Sequence, residues 1–186
     1  MDLIHYYLNS AARSLRSRKS NVVGLLVPDI SNFFFTSIAR GVESTLKRNG
    51  YNLIFSNSNE NLESEIEQIK IFNTQLVDGL IMAPVPGDHT FLNELLNGGY
   101  PVVFIDRKPK GYQGDCVLGD NIKGTYDAIS MLIKKGHSRI GIITGLPGLT
   151  TTKERLIGYK KALTKYGLKI TKNIIKVGYS QFEGGY

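Results

Sequence analysis

The chain has 186 residues, of which 41% are hydrophobic and 21% charged, a balance that excludes disordered and fibrous classes. The formal net charge is +7, and the first twenty residues contribute +3 of it because they hold four basic side chains and one acidic side chain. The sequence contains no apolar run long enough to span a membrane, no secretory signal and only one cysteine, so we expect a cytoplasmic protein without an internal disulfide.

Residues 1–20 differ from the rest of the chain because they are basic and poor in large apolar side chains. Residues 9–18 have the length of two to three helical turns, which is too short for a helix to persist alone in water. The arginines of this stretch would be drawn to phosphates, and Leu15 could wedge between base steps from the minor groove. A disordered basic leader or a linker explains the same residues equally well.

From Val22 onward, strand patterns alternate with helix patterns. Strands are predicted at 22–27, 51–55, 79–83, 101–105, 116–118, 139–144 and 174–177, and helices at 34–48, 60–75, 91–96, 121–135 and 151–166. This alternation predicts an α/β protein built from βαβ units, with parallel sheets covered by helices on both faces. A second sheet starting near residue 119 would have only two or three strands, so we expect the chain to be a fragment.

Local signals refine three of the predicted helices. Asp120 is placed to cap helix 121–135, and Thr151–Glu154 has the pattern of a capping box for the next helix. Helix 60–75 should bury one stripe of apolar side chains, namely Leu62, Ile66, Ile69 and Leu76.

Polar loops follow the predicted strands, and in open parallel sheets ligands bind beyond the carboxyl ends of the strands. These loops are rich in Asp, Asn, Ser and Arg, which suits a neutral polyhydroxylated ligand because such side chains both accept and donate hydrogen bonds. The run Phe33–Phe35 could supply an aromatic face for a ring. The alternative is that these loops are ordinary and that at least two of the three phenylalanines belong to the core.

Enzyme signatures are missing from the sequence. It has no glycine-rich dinucleotide or phosphate-binding motif, no nucleophile elbow, and only three scattered histidines. Asp106 and Arg107 form a candidate charged pair, although an ion pair at a strand end is usually structural. Cys116 is expected to be a small buried hydrophobe. We therefore expect no enzymatic activity, no metal and no cofactor.

One stretch at the N-terminus resembles a known motif. Tyr7–Leu15 resembles the hinge of LacI/GalR family transcriptional regulators, although Leu8 replaces the usual hinge proline. Further stretches are similar to that family in the same order, at 23–34, 77–81, 101–107, 136–141 and 155–163. Together these matches cover nearly the whole chain.

The resemblance implies a fold and a domain organisation. The fold would be periplasmic-binding-protein-like, type I, with two parallel-sheet, Rossmann-like lobes of which the second is incomplete. Residues 1–20 would be the end of the DNA-binding region and the hinge helix, 21–118 the N-terminal lobe of the effector-binding domain, and 119–186 a partial C-terminal lobe. On this interpretation the chain is truncated at both ends and lacks most of a helix-turn-helix.

The resemblance also implies a function. The chain would belong to a homodimeric DNA-binding regulator of the repressor kind, in which a sugar or related small metabolite changes the angle between the lobes and so alters operator binding through the hinge, with no membrane partner. The hinge residues on DNA would be Asn9, Ala12, Arg13, Leu15 and Arg16. The effector-binding residues would be Asp29, Phe34, Asp106, Arg107, Asp120, Thr151 and Arg155.

Two further points bear on this interpretation. Leu149 stands where purine-sensing relatives carry an arginine, which disfavours a purine corepressor. The alternative function is that of a sugar-binding protein of a transporter with the same fold, against which the basic N-terminal segment argues.

Overall fold

The computed structural model describes residues 19–178, and this part of the chain forms two compact units. The first unit contains the described residues up to Ala83 together with Thr90–Val103, and the second contains Pro84–His89 and the residues from Phe104 onward. The predicted hinge residues Asn9, Ala12, Arg13, Leu15 and Arg16 lie outside the described part. The predicted lobe boundary between residues 118 and 119 stays a prediction.

The first unit is built around a parallel sheet. Its elements in chain order are β1 (Val22–Val27), α1 (Phe33–Arg48), β2 (Asn52–Asn57), α2 (Leu62–Thr74), β3 (Gly79–Met82), α3 (Leu92–Asn97) and the first half of β4 (Val102–Ile105). β1 lies between β2 and β3 and runs parallel to both, with Val22 opposite Asn52 and Val23 opposite Gly79. The predicted parallel α/β order is confirmed in this unit.

The sequence of β1 is a continuous apolar run, as is typical of a parallel strand that is buried on both faces. Leu25, Leu26 and Val27 are fully buried. On the α2 side, Gly24 leaves room for the ring of Phe72, since a Cβ at this position would lie 3.0 Å from that ring. The glycine therefore sets how closely α2 approaches the sheet.

The predicted buried stripe of α2 is partly wrong. The side chains that α2 buries are Glu65, Ile69 and Phe72. Leu76 is 63% exposed and has a φ of +53°. The reason is that α2 ends at Thr74, so Leu76 no longer follows the helical period on which the prediction relied.

The second unit contains two pairs of parallel strands. Its elements are the second half of β4, β5 (Cys116–Val117), α4 (Asn121–Lys134), β6 (Ile142–Thr144), α5 (Thr150–Lys165), a 3-10 turn (Lys172–Ile174) and β7 (Ile175–Val177). Phe104 of β4 pairs with Cys116 of β5, and Ile142 of β6 pairs with Ile175 of β7. Each predicted element is present here, although β6 is shorter than predicted.

The core of the second unit lies where α4 and α5 pack together. Its buried side chains are Ile129, Ile140, Tyr159, Ala162 and Leu163. The Tyr159 hydroxyl donates a hydrogen bond to the Ile140 carbonyl at 2.7 Å, and burial raises the pKa of this tyrosine. The helices touch at Gly158, where a Cβ would collide with the carbonyl oxygen of Ile122.

The N-terminus of α5 differs from its prediction. The helix begins at Thr150 with Leu149 at the N-cap and without a side-chain cap, so the predicted capping box is wrong. Thr151 lies inside the first turn and is only 3% exposed. The carboxylate of Glu154 accepts a hydrogen bond from the Asn121 amide instead of turning back on its own helix. By contrast, Asp120 does cap α4 as predicted, because its side chain accepts from the Lys123 backbone N–H.

Between residues 19 and 178, none of the helices combines the length and the apolar composition that crossing a membrane requires.

Candidate functional site

The loop between β1 and α1 is shaped by two short polar side chains. The carboxylate of Asp29 accepts hydrogen bonds from the backbone N–H of Ser31 at 2.8 Å and from its hydroxyl at 2.6 Å. Asn32 caps α1 by accepting from the Phe34 backbone N–H at 3.0 Å. These local bonds start the helix directly after the loop and leave Asp29 half-buried at the carboxyl end of β1.

The three phenylalanines after this loop have different environments. Phe35 is buried, Phe34 is 48% exposed and Phe33 is 80% exposed, so the alternative that at least two of them belong to the core is wrong. Successive helical positions point about 100° apart, so the three rings cannot all enter the core, and Phe35 is the one that does. The rings of Phe34 and Phe35 meet edge to face, with centroids 5.1 Å apart. An accessible aromatic surface therefore remains at the start of α1.

Asp106 occupies a tight turn at the carboxyl end of β4. Its φ is +59°, and the Arg107 backbone N–H donates to the Ile105 carbonyl, so Asp106 is the central residue of a γ-turn. A non-glycine residue with positive φ is uncommon, and such backbone strain is concentrated at functional sites. The turn presents the partly buried carboxylate of Asp106 3.4 Å from Nε of Arg107, and it also directs an Arg107 Nη atom to the Pro84 carbonyl at 3.5 Å.

A second polar group lies at the start of α4. Asp120 caps this helix, and Asn121 follows it. Nε of Arg155 on α5 donates to the side-chain oxygen of Asn121 at 3.0 Å, while the Asn121 amide donates to Glu154 at 3.0 Å. Asn121 therefore orients an exposed guanidinium whose other nitrogens are suited to hydroxyl or carboxylate oxygens.

The predicted effector residues are placed as follows. In the first unit, Asp29 lies in the loop before α1 and Phe34 in the first turn of that helix. In the second unit, Asp106 and Arg107 share one turn, and Asp120 directly precedes Asn121, to which Arg155 donates. Two of the predicted effector-binding residues, Arg107 and Thr151, are buried. Cys116, expected to be buried, is only partly so, and burial raises the pKa of its thiol. Among the described residues, no group of three His, Cys, Asp or Glu side chains is suited to hold a metal ion.

Sequence reasoning missed Asn121 and Glu154 as members of this group. Asn121 is 33 positions from Glu154 and 34 from Arg155, and no periodicity links residues so far apart. The only signal in the sequence was the position of Asn121 directly after a good N-cap residue.

Parallel α/β units with polar side chains at the carboxyl ends of their strands define a class of small-molecule-binding proteins. The sequence profile of the family described as "periplasmic binding proteins and sugar binding domain of LacI family" matches residues 20–186. The chain belongs to this family, and its fold is the α/β, periplasmic-binding-protein-like type I fold.

Individual relatives agree with this assignment. The chain is similar to the ribose operon repressor of Bacillus subtilis, with 40% identity over 85% of this chain and 47% of the relative. It is also similar to catabolite control protein A of Priestia megaterium, with 32% identity over 100% of this chain and 56% of the relative. The crystal structure of the transcription regulator CcpA of Lactococcus lactis has a TM-score of 0.80 and 27% identity, covering 88% of this chain and 60% of that one. The chain thus spans about half the length of the curated relatives that it matches.

Proposed function

We propose that this chain is the sensor part of a LacI/GalR-type transcriptional repressor, which binds an operator in the cytoplasm as a homodimer. The observation that carries this proposal is the family match over residues 20–186. The alignment with catabolite control protein A extends over all 186 residues and so includes the basic segment 1–20. The relatives named above are transcriptional regulators, which favours this function over transport or enzymatic catalysis.

The effector would be a sugar, and D-ribose is the first compound to test. The relative with 40% identity is named a ribose operon repressor. In the second unit, the exposed Arg155, oriented by Asn121, would donate to sugar hydroxyls and Asp106 would accept from them. In the first unit, Asp29 would be an acceptor. Phe34 offers an aromatic surface against which a sugar ring can pack. Arg107 and Thr151, which are buried, would support the neighbouring contacts.

The sensor would act on DNA through the segment that precedes β1. Arg13 and Arg16 would contact phosphates, Leu15 would enter the minor groove, and Asn9 and Ala12 would support the hinge helix. Effector binding and DNA binding are then linked equilibria, and such coupling usually changes affinity by about 5- to 150-fold.

Two measurements on the protein expressed from its native gene test this proposal. Titration calorimetry should detect D-ribose binding, with hypoxanthine as the comparison compound because Leu149 disfavours a purine. A gel-shift assay with the duplex upstream of that gene should detect DNA binding that changes when ribose is added. Ribose binding without DNA binding would instead support a transport protein, and sugar turnover would support an enzyme.

A further inference from the structure

A single carboxylate holds the residues that lead from the N-terminal segment into the sheet. Oδ1 of Asp78 accepts hydrogen bonds from the Ser20 backbone N–H at 2.8 Å and from the Ser20 hydroxyl at 2.9 Å. Oδ2 accepts from the Asn21 backbone N–H at 2.8 Å. We name these three bonds the Asp78 clasp. Both carboxylate oxygens are used, and they bind residues 57 and 58 positions earlier in the chain.

The clasp is continuous with the sheet of the first unit. The Asp78 backbone N–H donates to the Val22 carbonyl at 2.8 Å, and the Asn52 backbone N–H donates to the Asn21 carbonyl at 2.8 Å. Asp78 directly precedes β3, while Asn21 directly precedes β1. Hydrogen bonds therefore connect the residue before β3 directly to Ser20 and Asn21.

The backbone at the clasp needs such support. Asn21 has a φ of +55°, a left-handed conformation that costs free energy in a non-glycine residue unless its surroundings hold it. Hydrogen bonds to an ionised carboxylate are roughly twice as strong as those between neutral groups. The charge of Asp78 is also felt nearby, because burial first and this charge second raise the pKa of Tyr100, whose hydroxyl donates to the Val77 carbonyl at 3.0 Å.

We propose that Asp78 is a positioning residue for DNA binding, which sets where and in which direction residues 1–19 leave the first unit. The inference rests on the proposed function, since it assumes that the N-terminal segment contacts DNA. Asp78 itself would touch no DNA. Because Asp78 directly precedes β3, its role is to orient the segment that carries Arg13, Leu15 and Arg16 relative to that strand.

The substitution Asp78→Asn separates this role from simple electrostatics. It keeps the size of the side chain but replaces one acceptor oxygen with an NH2 group, which cannot accept from a backbone N–H. It also makes the protein more positive by one charge, which alone would tighten DNA binding. The control Asp127→Asn makes the same change of charge at an exposed carboxylate of α4 that pairs with Lys123.

The test combines DNA affinity with amide hydrogen exchange on the protein expressed from its native gene. We expect Asp78→Asn to weaken binding to the upstream duplex about tenfold, whereas Asp127→Asn leaves it unchanged or tighter. Exchange at the Ser20 and Asn21 amides should accelerate about tenfold in Asp78→Asn while protection in Val22–Val27 stays the same. A merely structural role would not lower DNA affinity while the sheet stays protected.

The outcomes are distinct. If Asp78→Asn binds DNA as tightly as Asp127→Asn does, the inference is overturned while the proposed function stands. If the wild-type protein fails to bind DNA, both the proposed function and the inference are overturned. If amides in Val22–Val27 lose exchange protection in Asp78→Asn, Ser20→Ala becomes the test variant, because it removes only the hydroxyl from the clasp. Unchanged DNA affinity in Ser20→Ala would then overturn the inference.

Discussion

Nε of Arg155 donates a hydrogen bond to the side-chain oxygen of Asn121 across 3.0 Å, joining the second turn of α5 to the first residue of α4. The same Asn121 amide donates to Glu154, so one side chain sets the positions of two charged neighbours. This hydrogen bond constrains an exposed guanidinium before any ligand binds. Such preorganisation lowers the entropy lost on binding.

Arg155→Ala should weaken ribose binding by at least about tenfold, because a hydrogen bond to a charged group contributes about 1.5–3 kcal/mol. Asn121→Ala should weaken binding less, since the guanidinium is still present but no longer oriented. Titration calorimetry measures both effects. Lys153→Ala, an exposed cation on the same helix, is the matched control and should leave ribose affinity unchanged. Equal loss in the Lys153 and Arg155 variants would indicate a general charge effect.

Gly158→Ala should destabilise the second unit by about 1–3 kcal/mol, because the new methyl group would collide with the Ile122 carbonyl where α4 and α5 touch. Gly124→Ala offers the opposite case, since a Cβ at this position of α4 meets no atom within 4 Å. It should stabilise the helix by about 0.5–1 kcal/mol. Urea unfolding of both variants would show opposite shifts, and a shift in the same direction would contradict the observed helix packing.

Tyr159→Phe should lower the free energy of unfolding by about 1–2 kcal/mol. It removes only the hydroxyl that donates to the Ile140 carbonyl at 2.7 Å and leaves that buried carbonyl without this donor. Tyr166 is half-buried and directly follows α5. Tyr166→Phe also removes a hydroxyl, but it should change the free energy of unfolding by less than about 0.5 kcal/mol. Thermal unfolding of the two variants is the measurement, and similar losses would show that the Tyr159 bond contributes little.

Phe72→Ala should cost about 3–5 kcal/mol of stability, since this ring is buried against Gly24 of β1. Leu76→Ala should cost less than about 0.5 kcal/mol because Leu76 is mostly exposed. Chemical unfolding of the first unit would distinguish them. A larger loss of stability in Leu76→Ala than in Phe72→Ala would contradict the observed burial and favour the predicted stripe that includes Leu76.

The predicted elements of the described chain follow from local rules. The apolar run that ends at a proline predicts β1, and Asp120 as an N-cap residue predicts the start of α4. Both signals arise within a few residues, where the backbone period and the capping bonds act. The predicted capping box at Thr151–Glu154 is wrong because α5 already begins at Thr150, and Glu154 accepts a hydrogen bond from the distant Asn121.

The sequence by itself determined the alternation of strands and helices, the parallel α/β class and the family, because these depend on periodicity and on the order of motifs along the chain. Only the tertiary structure decided which phenylalanine after β1 is buried, that Asn121 orients Arg155, and that Asp78 holds Ser20. The physical reason is distance along the chain. Residues 34 or 58 positions apart come into contact only after the strands and helices have packed. Neither the 3.6-residue period of a helix nor the two-residue period of a strand predicts such contacts.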